Sequence, residues 1–325
     1  MTKTWDVTVV GHSFIDFVFS GIQSWPNIGE ESFAQSVCRE IGGVAITACG
    51  LGRLGRKTAL LTCVGNEDQE WFFRRLEGCH VDTSLVDRSE NPTAVTVSLS
   101  TSQDRSFLSS WGANAGLAGL LDREEWRETL TRAAHIHFAM MPQHAQAQSL
   151  FRQLRAVGCS ISLDVGWNET WLRNPETLGI LRQVDFFLPN EKEARTITGK
   201  SEPEEMLRWF KQAGVGCVAV TLGSRGSAMV HEGRFYLVPS VPVDVVDTTG
   251  AGDCFSAGFL HSMLDGDLPG DWLRLGNLCG ALSTRAAGGI AGFPTPQELK
   301  EIRCEQGSVN WRRRRPDSIL DLRSQ

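Results

Sequence analysis

Short apolar runs of strand character alternate with segments of helical spacing along most of this chain. That rhythm narrows the fold more than any single motif. Trp5 to Val10 ends at Gly11, and Thr58 to Val64 ends at Gly65. Ala134 to Met140, Ser160 to Val165, Val184 to Leu188, Val215 to Leu222 and Arg234 to Val238 come later in the chain. Between several of them lie helical patterns such as Gln146 to Val157 and Pro203 to Ala213. Alternating elements of this kind make an α/β fold, a mostly parallel central sheet flanked by helices. With 325 residues and 41% hydrophobic residues, the chain can fill one large core and carry an attachment.

Two stretches break the rhythm. Thr93 to Ser100 places Val95, Val97 and Leu99 on one face and Thr96, Ser98 and Ser100 on the other; Arg105 to Trp111 comes after a polar turn. This pattern predicts an antiparallel hairpin with one wet face. The segments around Phe17-Val18-Phe19 and Ser32 to Cys38 are expected to add strands to the same small sheet. The domain is therefore read as residues 1–305, with lid segments inserted at about 13–40 and 92–112. Residues 306–325 form a basic polar tail, with Arg312 to Arg315 as a solvated end.

The net charge of −6 argues against nucleic acid as a partner, because neutralising phosphates takes clustered positive charge. Nine cysteines are scattered without metal-ligand spacing, and an odd count suits a reducing, cytoplasmic setting. No apolar run approaches the ~20 residues that span a bilayer, so no membrane partner is expected.

Two glycine clusters invite a phosphate. Gly50-Leu51-Gly52-Arg53-Leu54-Gly55 matches the dinucleotide fingerprint literally, but the residues before it suit a helix and those after it suit a strand. The fingerprint needs the reverse, so a dehydrogenase has no other support and Gly55 reads as a glycine ending a helix. The stretch VDVVDTTGAGDCFSAGFLHSML has the right polarity: a β-branched run (Val243, Val245, Val246), a glycine turn, then apolar residues at helical spacing. Free amides at such a helix start, with Gly250 and Gly252 allowing close approach, make an anion site. An acid there, Asp253, either takes a proton from an attacking hydroxyl or caps the helix; the local pattern leaves both open.

D-T-x-G-A-G-D followed by F-x-x-G-F closely resembles the C-terminal signature of the ribokinase-like (PfkB) carbohydrate kinases. Other segments fall in family order across about residues 5–300. Gly11 to Asp16 resembles the first strand, and Gly42-Gly43 through Gly55 resembles the N-terminal signature. Gly65 to Asp68 is similar to G-x-D-x-x-G, Asn190 to Glu193 carries N-x-x-E, and Thr221 to Gly226 carries T-x-G-x-x-G. The resemblance implies a ribokinase-like fold with an inserted β-sheet lid, and ATP-dependent phosphorylation of a hydroxyl on a small sugar or sugar derivative.

By position, the resemblance makes Asp253 the general base and the amides of Gly250, Ala251 and Gly252 the anion hole. Asp16, Gly42 and Gly43 would face the sugar. Asn190 and Glu193 would organise Mg²⁺ through water, although Asn190 with Glu193 three residues on also has the form of a capping box. Thr221, Gly223, Gly226 and Asn277, with Asn190, would line the ATP pocket. Asp247, beside the substrate, and Thr249 match positions that hold a monovalent cation such as K⁺ in some members, with carbonyls near Ala286 to Gly292.

Some positions depart from the family. Thr47 stands where asparagine is common, and its shorter hydroxyl is expected to leave room for a substrate other than a plain pentose. Asp164-Val165-Gly166-Trp167-Asn168, with Trp171, is similar to the D-x-N-x-R…W run of some hexose and keto-acid-sugar kinases but lacks its arginine; it reads as a loop with buried aromatics. Arg105 reads as an exposed lid residue, the alternative being contact with a substrate phosphate or carboxylate. The lid is expected to pair two chains into a homodimer. A nucleoside kinase of the same family is the runner-up. A catalytically silent sugar-binding regulator is a third reading, opposed by the intact Asp253, Asn190 and Glu193.

Overall fold

The computed structural model describes residues 3–22, 27–101, 105–307 and 320–321. Fifteen strands occur in chain order among them: β1 (Trp5–Gly11), β2 (Ser13–Ile22), β3 (Ser36–Gly43), β4 (Thr58–Gly65), β5 (Val81–Asp82), β6 (Val86–Ser89), β7 (Val95–Thr101), β8 (Arg105–Ser110), β9 (Ala133–Ala139), β10 (Ser160–Asp164), β11 (Phe186–Phe187), β12 (Cys217–Thr221), β13 (Ser227–His231), β14 (Arg234–Val238) and β15 (Leu320–Asp321).

Eleven of them form one sheet, in the order β15-β14-β13-β12-β11-β10-β9-β1-β4-β5, with β6 also paired to β4. From β12 through β4 to β5 and β6 the pairing is parallel; β13, β14 and β15 extend it antiparallel. Every residue of β4 is buried, because helices cover both faces of a parallel sheet. This is the α/β architecture that the alternation predicts.

The helix Val44–Arg53 is buried at nine consecutive positions and leads into β4, as the reversed glycine fingerprint requires. Gly55 lies just beyond it with φ +90°. The helix Ala251–Leu264 packs along the helix Pro269–Ser283 at very close range. A Cβ on Gly258 would stand 2.6 Å from the Leu275 carbonyl oxygen, and one on Gly276 2.7 Å from the Phe255 ring. Below that pair, Phe259 meets Phe186 and Trp272 edge-on, anchoring the helix to the sheet.

The second sheet has four strands in the order β3-β2-β7-β8. Its strand β3 starts at Ser36 and runs through Gly42-Gly43, later than the expected Ser32 to Cys38. The hairpin forms, but its faces are not used as expected. Ser98, on the polar face, is buried, while Leu108, cross-strand from Val97 on the apolar face, is 74% exposed. The polar face turns inward because Asp16 and Glu40, register partners of each other, occupy the same side and are buried.

Two other expectations are corrected. Val243 to Val246 is not a strand: Pro242 has no amide to donate, and Val243 and Val245 instead wall a cavity. The amides of Val246 and Asp247 are held by the Thr284 carbonyl at 2.8 and 3.1 Å. The basic cluster Arg312 to Arg315 lies outside the described residues, but Leu320–Asp321 pair with β14 and so are not part of a free end.

Candidate active site

The parallel strands end on one edge, and the chemistry collects there. Gly11, Ala139, Asp164 and Thr221 close β1, β9, β10 and β12. Asn190 forms an isolated bridge with Thr221. Open α/β sheets bind ligands at this carboxyl edge. Two cavities open along it. One, of about 720 Å³, lies between the edge and the small sheet and has Asp253, Asp164 and Glu193 in its wall. The other, of about 470 Å³, has Gly223, Gly226 and Asn277 in its wall. Thr221 and Gly252 line both, so the cavities meet at the start of the helix Ala251–Leu264.

Gly250 begins that helix with φ +71°, and a Cβ there would lie 2.7 Å from Ile46 Cδ1 and 2.8 Å from the Gly289 Cα. Glycine is thus required on two counts, backbone conformation and space. A Cβ on Gly252 would meet nothing within 4 Å, since it would project into the junction of the cavities. Cys254 N donates to the Gly250 carbonyl at 2.9 Å and starts the helical ladder; Ala251 N donates to the Thr248 carbonyl at 3.3 Å. Ala251 therefore shares its amide with the turn, and the first-turn amides of a helix are those that face an anion.

Asp253 sits one residue past the junction, on the larger cavity. Burial raises its carboxyl to about 8, and the Asp164 charge adds to the rise, while a hydrogen bond from Thr47 opposes it. Asp164 is lifted in the same direction by burial and by Glu193, and accepts from Ser256 Oγ at 3.2 Å. Glu193 is also raised, chiefly by burial. The capping box is present in full: Glu193 N donates to Asn190 Oδ1, and Asn190 N to Glu193 Oε2, each at 2.9 Å. Both residues nevertheless line the cavity with Asp164. Carboxylate and amide oxygens are the hard donors that a magnesium ion takes, with water completing its shell.

Asp16 lies behind the cavity wall, 6% exposed, raised to about 7 by burial and then by Asp253, Asp247 and Glu40. Its carboxyl group covers Gly42 so closely that a Cβ on Gly42 would collide with it. Gly43 is in the wall itself. Thr47 is not; it is fully buried, and its hydroxyl is directed at Asp253 rather than at the space for a substrate. Asp247 accepts from Thr249 N and Oγ1 at 2.9 and 2.8 Å and from Gly288 N at 2.9 Å. The structure thus brings Asp247 to the Ala286 to Gly292 loop. Asn277 lines the smaller cavity while donating to the carbonyls of Val238 and Pro239 at 3.0 and 3.1 Å. Arg105 opens β8, and its side chain lies outside the described residues.

Sequence reasoning assigns no role to Asp164 in the site. The available signal is an acid closing a buried strand at the edge where strands of this kind bind ligands. Trp171 is buried as expected of the aromatic loop, but Trp167 is 46% exposed and lines the larger cavity.

The model of the pfkB family of carbohydrate kinases matches residues 5–296. A 2-dehydro-3-deoxygluconokinase of Bacillus subtilis is 28% identical, covering 84% of this chain and 89% of that protein. A ribokinase of Haemophilus influenzae is 26% identical, covering 93% and 99%. The structure of Arabidopsis thaliana ribokinase complexed with ribose and ATP superposes with a TM-score of 0.80 at 25% identity, covering 93% of this chain and 99% of that one. Among the described residues no helix is long and apolar enough to cross a membrane.

Proposed function

This chain belongs to the pfkB family of carbohydrate kinases, and we propose that it moves the γ-phosphoryl group of ATP to a hydroxyl of a small sugar or sugar derivative. One observation carries this reading: the two cavities meet at Gly252, with Asp253 on the side of the larger. ATP enters the smaller cavity along Thr221, Gly223 and Gly226, so that its terminal phosphate reaches the helix start. The substrate enters the larger one. Asp253 takes the hydroxyl proton as the oxygen attacks, and the amides of the glycine turn face the charge that builds on the phosphoryl oxygens.

Asn190, Glu193 and Asp164 are the residues that would hold magnesium, partly through water. Bound there, it would neutralise charge on the ATP phosphates. Asp247 and Thr249, beside Gly288, are where a monovalent cation such as K⁺ would act, behind the anion site and not in the path of transfer. The outward apolar face of the small sheet, with Val37 and Leu108 exposed, suits pairing of two chains, which sedimentation would test. The function itself is tested by ADP release over a panel of sugars and nucleosides, with NADH absorbance as the control for the dehydrogenase reading. ADP release that no panel member stimulates would refute it.

A further inference from the structure

Two thiols meet at the helix Val44–Arg53, outside the walls of both cavities. Cys49 is on the helix and fully buried; Cys79 comes from the turn after the helix Gln69–Glu77 and is 4% exposed. The Cys49 thiol donates to the Cys79 sulfur, and so does the Arg53 guanidinium, one turn along the same face. The backbone brings the two together. Gly52 lies so close to the Cys79 carbonyl that a Cβ there would collide with it.

The pair is chemically unequal. Cys49, enclosed by the core, is pushed well above the ordinary thiol range, chiefly by burial. Cys79 is held below that range by the hydrogen bond from Cys49, against its own burial, with the Arg53 charge helping and the Glu40 charge opposing. Elsewhere burial pushes Cys63, Cys217 and Cys254 up, which leaves such thiols inert. A thiolate with a second thiol against it can take up an oxidant and then resolve the product. Gly78 and His80 are exposed, so Cys79 lies one residue from solvent in either chain direction. That depth suits a small oxidant.

We propose that Cys79 and Cys49 are a modification site for small hydroperoxides, closing to a disulfide that displaces the helix Val44–Arg53 and slows the kinase. The Cys79 sulfur, as thiolate, attacks one oxygen of hydrogen peroxide. The S–O bond forms, the O–O bond breaks, and hydroxide leaves, taking a proton from solvent. The Cys49 sulfur then attacks the Cys79 sulfur: the S–S bond forms, the S–O bond breaks, and the Cys49 proton leaves with that oxygen as water. Both sulfurs are oxidised and the peroxide is reduced to water.

A disulfide holds its sulfurs about 2 Å apart, well inside the contact of two hydrogen-bonded thiols, so helix and turn must readjust. The helix has little room for this. Gly52 is already against the Cys79 carbonyl, and a Cβ on Gly50 would stand 2.7 Å from Ala257 Cβ on the helix Ala251–Leu264. The same helix carries Thr47, bonded to Asp253, and Arg53, which donates to the Ile290 carbonyl at 2.8 Å. Its displacement therefore reaches the candidate base and the Ala286 to Gly292 loop together. The effect on turnover rests on the kinase reading above; the modification does not.

The test treats the full chain with hydrogen peroxide and follows intact mass, tryptic peptides, melting temperature and ADP release with the best substrate of the panel. The expected product has lost two hydrogens and carries peptide 40–53 joined to peptide 76–88. Turnover should fall by at least about tenfold, on the scale of a misplaced reacting group, and dithiothreitol should restore it. Cys79→Ser should abolish both the link and the loss of turnover, whereas Cys38→Ser, at a half-buried thiol elsewhere, should keep both. In Cys49→Ser the reaction should stop at the Cys79 sulfenic acid, which dimedone traps. Thiols that stay free under peroxide, a link with parental turnover, or a loss of turnover that persists in Cys79→Ser each overturn the inference. If no panel member yields ADP, the transfer reading fails and the link with its melting temperature decides this one: a shifted melt supports it, an unshifted melt overturns it.

Discussion

The hydroxyl of Thr47 stands 3.3 Å from both the main-chain carbonyl and Oδ1 of Asp253, so the helix Val44–Arg53 reaches the candidate base directly. Its bond favours the ionised carboxylate and works against the burial that raises this group. Thr47→Val keeps the shape and removes the donor. The pH at which kcat/KM levels off should then move upward, with turnover at neutral pH falling by about tenfold, a one-unit change in the base. Thr47→Ser should behave like the parent. A pH profile that does not move would reduce Thr47 to packing alone.

For Asp253 itself, rate and stability should part company. Asp253→Asn should lower turnover by ~10²–10⁴, the usual share of a positioned general base. Folded, the carboxyl keeps its proton up to about 8; unfolded, it loses it near 4. The stability this group contributes is thus complete below about 4 and is lost as pH rises toward about 8. Asp253→Asn should melt above the parent at pH 8, by a margin that narrows toward pH 5. Parental turnover in a folded variant would remove Asp253 from the role of base.

Gly252 and Gly42 make opposite cases for the same substitution. Gly252→Ala meets nothing within 4 Å, so the melting temperature should be nearly parental while the methyl group obstructs the junction of the cavities. Turnover should fall by at least about tenfold, on the scale of a misplaced reacting group. Gly42→Ala drives a Cβ into the Asp16 carboxyl and should lower thermal stability as well as activity. Equal melting curves for the two variants would contradict this geometry.

Glu193→Gln separates the metal from the cap. Glutamine keeps an acceptor for the Asn190 amide but loses the charge, so the helix should survive with a small loss in melting temperature. The magnesium concentration needed for half-maximal turnover should rise several-fold, as expected when an ion loses an anionic partner. An unchanged magnesium titration would leave Glu193 with the capping role alone.

The large sheet is legible because its strands are continuous apolar runs, and because the glycine run at Gly50 to Gly55 sits between a helix and a strand in the wrong order for a dinucleotide. The glycine turn before Asp253 is legible as an anion site for a similar reason, its polarity. The features that stay hidden depend on tertiary placement. Val243 to Val246 has strand-forming residues, yet they wall a cavity, a use that local propensity does not encode. The alternation in β7 fixes which residues share a face but not which face turns inward, since Asp16 and Glu40 on neighbouring strands decide that. Thr47 is conspicuous only by its position in a motif, and its partner lies 206 residues away. Asp164 carries no local signature beyond its place at the end of a buried strand.

One edge of the small sheet is tied to the body. The Arg75 guanidinium grips the buried carboxylate of Glu40, and Arg39 lies 4.2 Å over the Trp71 ring while pairing with Asp68 at 2.6 Å. Arg75, Trp71 and Asp68 belong to the helix Gln69–Glu77 or the residue before it. A sheet fastened along β3 cannot swing as a plate, because that would pull two arginines off their seats. The strand farthest from that seam is β8, so Phe107 stands over the cavity on the edge of the sheet that these arginines do not hold.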